Sequence, residues 1–241
     1  RLVGDQYQLN AVSAGSAFER VVSHLDLKSH TEMNKIVRQN KAEHRQASIA
    51  LSKHDAKSAI DIYAGLGDIE AFDTQQEARN QLATQWAKSA SSKIMLAYTN
   101  EDVNKLNKIA RTLMRDAGYL QGDDYSIQTK KGLIQIAKGD DIVFNEPNRE
   151  LHIVNGSRGR VSSVITDEHK RVIALEVEKD GDKVVVDAEQ YQSFNHGYAS
   201  TIHKAQGLTV DDAFVLANRG MNANLAYVAL TRHRNNLKVI Y

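Results

Sequence analysis

Thr201, His203 and Lys204 stand almost side by side in a run that ends Ala205-Gln206-Gly207. A hydroxyl and an ammonium can hold the phosphate oxygens of a nucleic-acid backbone, and an imidazole can take a phosphate or a stacked base. Further on, Arg232 closes a helical stretch expected near Asn222–Thr231, just ahead of the apolar strand Leu237–Tyr241. An arginine placed there can neutralise charge on a phosphoryl group. Together these side chains suit a motor that grips a strand with one loop and senses a nucleotide phosphate with an arginine. Competing chemistries find less support. His203 has no second His, Asp or Glu at ligand spacing, so no metal site is expected. No nucleophile–histidine–acid pattern stands out, and the remaining histidines, being scattered, read as surface residues.

The elements that must position these groups follow from periodicity. Phe18, Val21, Val22 and Leu25 recur at helical spacing over Ala14–Leu25, and a second helix from Thr31 carries Met33, Ile36 and Val37 and ends near Arg38-Gln39. Residues 40–64 are polar and alanine-rich and predict one or two surface helices, broken at Gly65-Leu66-Gly67. A helix over Thr74–Ser89 sets Ala78, Leu82 and Trp86 on one face. Lys93–Tyr98 predicts a strand. Thr99 or Asn100 caps the helix that follows, which has Glu101 and Asp102 in its first turn, buries Val103, Leu106, Ala110 and Leu113, and stops at Gly118. A helix start of this kind can also hold a phosphate through its free backbone amides.

From Gly132 to Tyr191 the period changes to two. Leu133–Ala137, Asp141–Phe144, Arg158–Ile165, Val172–Val177 and Val184–Val186 alternate with turn signals such as Asn155-Gly156 and Asp180-Gly181, predicting a small antiparallel sheet or barrel. The α/β pattern then returns with a strand near Ala213–Ala217. A β-module inserted into an α/β fold is the expected architecture.

Composition excludes more than it selects. The 241 residues are 41% hydrophobic and 25% charged, with no run apolar enough for a membrane span and no signal-peptide plan at the start. The absence of cysteine rules out disulfides and thiolate metal sites and fits a reducing cytoplasm. A net charge of +1 leaves any nucleic-acid contact to a local patch. No glycine belongs to a GxxxxGK[ST] phosphate loop, and Val164-Ile165-Thr166-Asp167-Glu168, the one acid after an apolar strand that imitates a magnesium ligand site, reads as a hairpin turn. Arg1-Leu2-Val3 is short for a strand, so the chain is expected to open inside a strand of a larger protein, with a short edge strand as the alternative.

The run His196–Gly207 and the segment Tyr227-Val228-Ala229-Leu230-Thr231-Arg232-His233-Arg234 closely resemble motifs V and VI of superfamily 1 helicases of the RecD-like branch. Gly4-Asp5-Gln6-Tyr7-Gln8-Leu9 resembles the GDxxQL of motif III. Gly139–Asn145 with Val154–Val161 resembles the SH3-like insertion of such helicases. The alanine-rich stretch after Arg38, with Leu96–Asn100 and Leu106-Asn107, is similar to the helicase part of TraA/MobA-type conjugative relaxases.

The resemblance implies an α/β fold, with a RecA-like second motor lobe holding an inserted SH3-like β-barrel behind a helical remnant of lobe one. The implied division is 1–70 for that remnant and a connector, 71–131 and 192–241 for the second lobe, and 132–191 for the barrel. It implies ATP and Mg²⁺ in the intact protein, with their main ligands outside this chain. Gln8, following Gly4 and Asp5, would sense the γ-phosphate, Arg38 would contact phosphate, Arg232 would act as an arginine finger, and Gly207 would let backbone approach the nucleotide. Thr201, His203 and Lys204 would contact single-stranded DNA, joined by Thr99 and Asn100 as a second strand-contacting loop. The missing motor lobe and a relaxase domain are the implied partners, and stepping would run 5′ to 3′. The inserted barrel offers few aromatics for base stacking. The rival reading is a non-hydrolysing strand- or partner-binding module from a truncated gene, which would have little use for Gln8, Arg38 and Arg232 together.

Overall fold

The computed structural model describes His24 and residues 36–241. Gly4, Asp5 and Gln8 lie outside the described residues, as do the first expected helix, His24 apart, and most of the second. The end of that second helix, Ile36–Gln39, is not helical, and Val37 is 75% exposed instead of joining an apolar stripe. Local contacts explain this: Asn40 N–H donates to the Arg234 carbonyl, and the side chains of Arg38 and Gln39 turn to the same segment. The chain divides into two compact units, the described residues up to Val103 with Ser200–Tyr241, and Asn104–Ala199.

The first unit is built on a sheet of order β1-β12-β11-β2-β10, made of β1 (Ile69–Glu70), β12 (His233–Ile240), β11 (Val210–Leu216), β2 (Lys93–Ala97) and β10 (Ala199–Thr201). The β1, β12, β11 and β2 neighbours pair in parallel. Parallel strands covered on both faces must be apolar along their length, and β11 and β2 are buried at nearly every position. Helices α1 (Ala42–Ser52), α2 (Ala56–Gly65) and α5 (Ala223–Leu230) cover the face that carries Ile94, Leu96, Ala213, Val215, Leu237 and Val239. Helix α3 (Gln75–Lys88) packs on β2, β11 and β12 with Ala78, Leu82, Ala83 and Trp86 buried. Its start is a capping box in which Thr74 Oγ1 accepts from Glu77 N–H and the Glu77 carboxylate accepts from Thr74 N–H, each at 3.2 Å. Helices α1 and α2 are not the surface helices expected: Ala47, Leu51, Ala59 and Tyr63 are sealed from solvent. Two i,i+4 pairs suffice to bury a narrow stripe inside an otherwise polar segment.

Helix α4 (Asn100–Asp116) begins in the first unit and runs on into the second. There, β3 (Gln121–Thr129) and β4 (Gly132–Lys138) form a hairpin. Strands β5 (Asp141–Phe144), β6 (Arg158–Thr166), β7 (Val172–Lys179), β8 (Asp182–Asp187) and β9 (Phe194–His196) make an antiparallel sheet of order β8-β7-β6-β5-β9. Its core gathers Ile142, Phe144, Val161, Leu175, Val177 and Phe194. The Val164–Glu168 run ends β6 and enters the β6–β7 turn, with Asp167 Oδ1 accepting from the N–H groups of His169 and Arg171 at 2.9 Å. Asp140 is fully buried and fully partnered: Arg111 Nη2 donates to it at 3.0 Å, Tyr198 Oη at 2.6 Å and Ala137 N–H at 2.7 Å. Gly139 precedes it at φ +99°, and a Cβ there would stand 2.4 Å from the Tyr119 carbonyl oxygen.

Candidate strand-contacting and phosphate-sensing site

Two candidate strand-contacting segments leave neighbouring strands of the first unit's sheet. After β2, Tyr98 leads to Thr99, whose Oγ1 accepts from Asp102 N–H at 3.0 Å and donates to Asp102 Oδ2 at 2.7 Å. Thr99 is therefore the cap of α4, and Asn100 is an exposed first-turn residue. Arg79 of α3 fixes the same carboxylate with Nε and Nη2 at 2.9 and 2.8 Å. The loop after β11 closes over Tyr98, since a Cβ on Gly220 would meet the Tyr98 ring at 2.9 Å.

After β10, the chain turns at once: Ile202 N–H donates to the Ala97 carbonyl at 3.0 Å, which ties the second segment to the end of β2. Thr201 is buried, and its Oγ1 accepts from Lys204 N–H at 3.3 Å. Its hydroxyl thus shapes the turn. His203 and Lys204 are exposed at its crest, and Gly207, at φ +88°, carries the chain out of it. An exposed ammonium and imidazole on a turn held by Ala97 and Thr201 are placed to meet a polyanion.

The arginines converge elsewhere in the same unit. Arg38 Nη1 donates to the Thr231 carbonyl at 2.8 Å, and Gln39 Nε2 donates to it at 3.1 Å and to that of His233 at 3.4 Å. Arg232, 2% exposed, sends Nε to the Val228 carbonyl at 2.7 Å and Nη2 to Thr231 Oγ1 at 2.9 Å. Thr231 Oγ1 in turn donates to the Tyr227 carbonyl at 2.6 Å. Residues 231 and 232 thus end α5 and gather two guanidinium groups from opposite ends of the chain. Burial lowers the pKa of the Arg38 guanidinium, and Arg234 adds to the shift; positive charge is concentrated here at a cost that an anion would relieve.

The sequence reading missed a neighbouring group. His44 and His233 are fully buried, not surface residues. Asp68 Oδ2 lies 2.8 Å from His44 Nε2, and His44 Nδ1 lies 2.9 Å from His233 Nε2. Tyr63 packs edge-on to both rings and donates to the Leu230 carbonyl at 3.2 Å. Among the described residues, no cluster of three or more His, Cys, Asp or Glu could hold a metal ion.

The chain is similar to known proteins in both sequence and fold. Residues 1–74 match a family model described as an AAA domain, and residues 196–240 match the UvrD-like helicase C-terminal domain, which takes in both the Thr201–Gly207 turn and Arg232. The whole chain aligns with the conjugal transfer protein TraA of Agrobacterium fabrum at 33% identity and with a probable TraA of Sinorhizobium fredii at 34%. The chain is similar over its whole length to TraA-type conjugal transfer proteins. It spans 22% of the length of those TraA relatives. It also aligns over 54% of its length, at 30% identity, with a stretch covering 34% of the ATP-dependent DNA helicase Pif1 of Bdellovibrio bacteriovorus. In fold it matches Bacteroides Pif1, a structure described as a complex with ADP-AlF3 and single-stranded DNA, with a TM-score of 0.60 and 17% identity over 98% of this chain and 60% of that one. Candida albicans Pif1 matches with a TM-score of 0.54 and 15% identity over 86% and 55%. The parallel sheet flanked by helices is thus the fold of a helicase lobe.

Proposed function

We propose that this chain is the second-lobe portion of an ATP-dependent helicase that moves along single-stranded DNA, and that the intact protein is a relaxase-helicase of conjugative DNA transfer working in the cytoplasm. The observation that carries the reading is the meeting of Arg38 and Arg232 at Thr231 in the unit whose neighbouring strands present Asn100, His203 and Lys204. On this reading residues 1–70 hold the lobe-one remnant and connector, residues 71–131 and 192–241 the second lobe, and residues 132–191 an SH3-like insertion.

When bound between the lobes, ATP with Mg²⁺ supplies phosphoryl-transfer free energy, its main ligands being contributed from outside this chain. The two guanidinium groups fit such a partner, being cationic, planar and partly desolvated. On this reading Arg232 would exchange its contacts with Val228 and Thr231 for phosphoryl oxygens, Arg38 would contact phosphate, Gln8 would sense the γ-phosphate and Gly207 would give the backbone room. The turn held by Thr201 and the α4 start capped by Thr99 then change their hold on the strand, each cycle advancing it 5′ to 3′.

The test is Arg232→Ala in the intact protein. ATP turnover should fall by about 10³-fold or more while the dissociation constant for single-stranded DNA stays nearly unchanged. Turnover at the wild-type rate would remove the finger role.

A further inference from the structure

Two buried histidines beside Arg232, and the partly buried Asp68 behind them, have no part in that mechanism. The Asp68 carboxylate can only accept, so His44 Nε2 carries a proton and the neutral His44 ring offers its Nδ1 as an acceptor to His233. The polarity of the chain is then fixed. His233 Nε2–H donates to His44 Nδ1 at 2.9 Å, and His44 Nε2–H donates to the Asp68 carboxylate at 2.8 Å. Asp68 is itself anchored, its carbonyl accepting from Val239 N–H of β12 at 2.8 Å. The hydrogen-bonded chain therefore ends on rigid structure.

We propose that Asp68, His44 and His233 form a positioning relay that holds the peptide at residues 232–233 and so fixes the direction from which Arg232 reaches a phosphoryl group; the proposal rests on the motor reading above. The geometry favours this over plain core packing. A core needs volume at this point, and aliphatic side chains would provide it without desolvating two imidazoles. Hydrogen bonds at both nitrogens of His44 restrict how the rings can turn, and Arg232 occupies the bend immediately before β12, sharing a peptide bond with His233. Holding the His233 ring thereby holds the peptide from which the Arg232 side chain starts. Around this point Tyr63 holds the Leu230 carbonyl, and Gln39 holds those of Thr231 and His233. The charged and titratable groups facing His233 are His44, Lys41 and Arg38, with Tyr63 and Asp68 just beyond.

The experiment uses two polar replacements in the intact protein. His44→Gln places its amide where Nε2 stood and keeps the bond to Asp68, but offers His233 nothing. His44→Asn places its oxygen where Nδ1 stood and keeps the acceptor for His233. DNA-stimulated ATP turnover, KM for ATP and single-strand affinity are measured for each. We expect His44→Gln to lose about tenfold to a hundredfold in kcat, with KM and affinity within about twofold of wild type, and His44→Asn to recover most of the loss. Equal kcat for the two variants, a wild-type kcat in His44→Gln, or KM and affinity collapsing along with kcat would each overturn the relay. A wild-type protein without ATP turnover would instead remove the motor reading, and the relay with it.

Discussion

His233 is where a single proton matters most. Burial, helped by His44, Lys41 and Arg38, pushes its pKa down to about 3. An unfolded chain would take up that proton near pH 6.5. Between those limits the unfolded state binds more protons than the folded one, so stability is full above pH 6.5 and falls as the pH drops toward 3, by about 1.4 kcal/mol per pH unit. Urea denaturation at pH 7 and pH 5 should show this loss in the wild-type chain and a smaller one in His233→Asn. Equal acid sensitivity in both would mean that other groups carry it. Lys204 poses the opposite case, an exposed residue whose proposed contribution is to binding. Lys204→Ala should weaken single-strand binding and lower the slope of log affinity against log salt by about 0.7, the share of one phosphate contact on a single strand. An unchanged slope would place the strand elsewhere.

At the level of elements, Asp140 joins helix α4 to the β4–β5 turn and to Tyr198. Replacing it by alanine would strand Arg111 and Tyr198 in a buried site, at a cost of about 3–5 kcal/mol. Thermal melting should report this as a drop of many degrees, and a melting point within a degree or two of wild type would show that Asp124, the other partner of Arg111, suffices. Most elements were legible because their hydrophobic period was strong: β5 has the expected bounds, and α3, β2, α4 and α5 lie within a residue or two of them. Strand β3 was not expected. Gln121-Gly122-Asp123-Asp124 has no alternation of its own, and its pairing with β4 supplies the order. Strands β9 and β10 are too short to carry a period. In the site, the residue types of the Thr201–Gly207 turn and of Arg232 were readable. The buried histidines were not, because His44 and Asp68 meet His233 only through the fold, and a lone histidine on a polar helix looks like any exposed one.

At the level of the whole molecule, the chain carries the proposed strand-contacting and phosphate-sensing groups but spans only 22% of the length of its TraA relatives. Binding and hydrolysis should therefore separate on dissection. The isolated chain should bind single-stranded DNA with an affinity indifferent to ATP, and the intact protein should show both DNA-stimulated turnover and nucleotide-sensitive binding. Nucleotide-dependent binding by the isolated chain, read by fluorescence anisotropy with and without a non-hydrolysable ATP analogue, would contradict this division.

The sheet order has a consequence for how the protein is made. Strand β2 ends at Ala97, yet its neighbour β11 begins only at Val210, and β12 comes later still. At ~5–20 residues per second, β2 leaves the ribosome roughly ten seconds before the strand that will cover its edge exists. Throughout that interval Ile94-Met95-Leu96-Ala97 is an apolar ribbon with unpaired amides and carbonyls, the kind of segment that chaperones bind and that pairs with the wrong neighbour. The residues from Asn104 to Ala199, contiguous in the chain, can fold while it waits. Slower translation across that stretch would prolong the exposure of β2, so the yield of native protein should depend on the tempo of synthesis as much as on final stability.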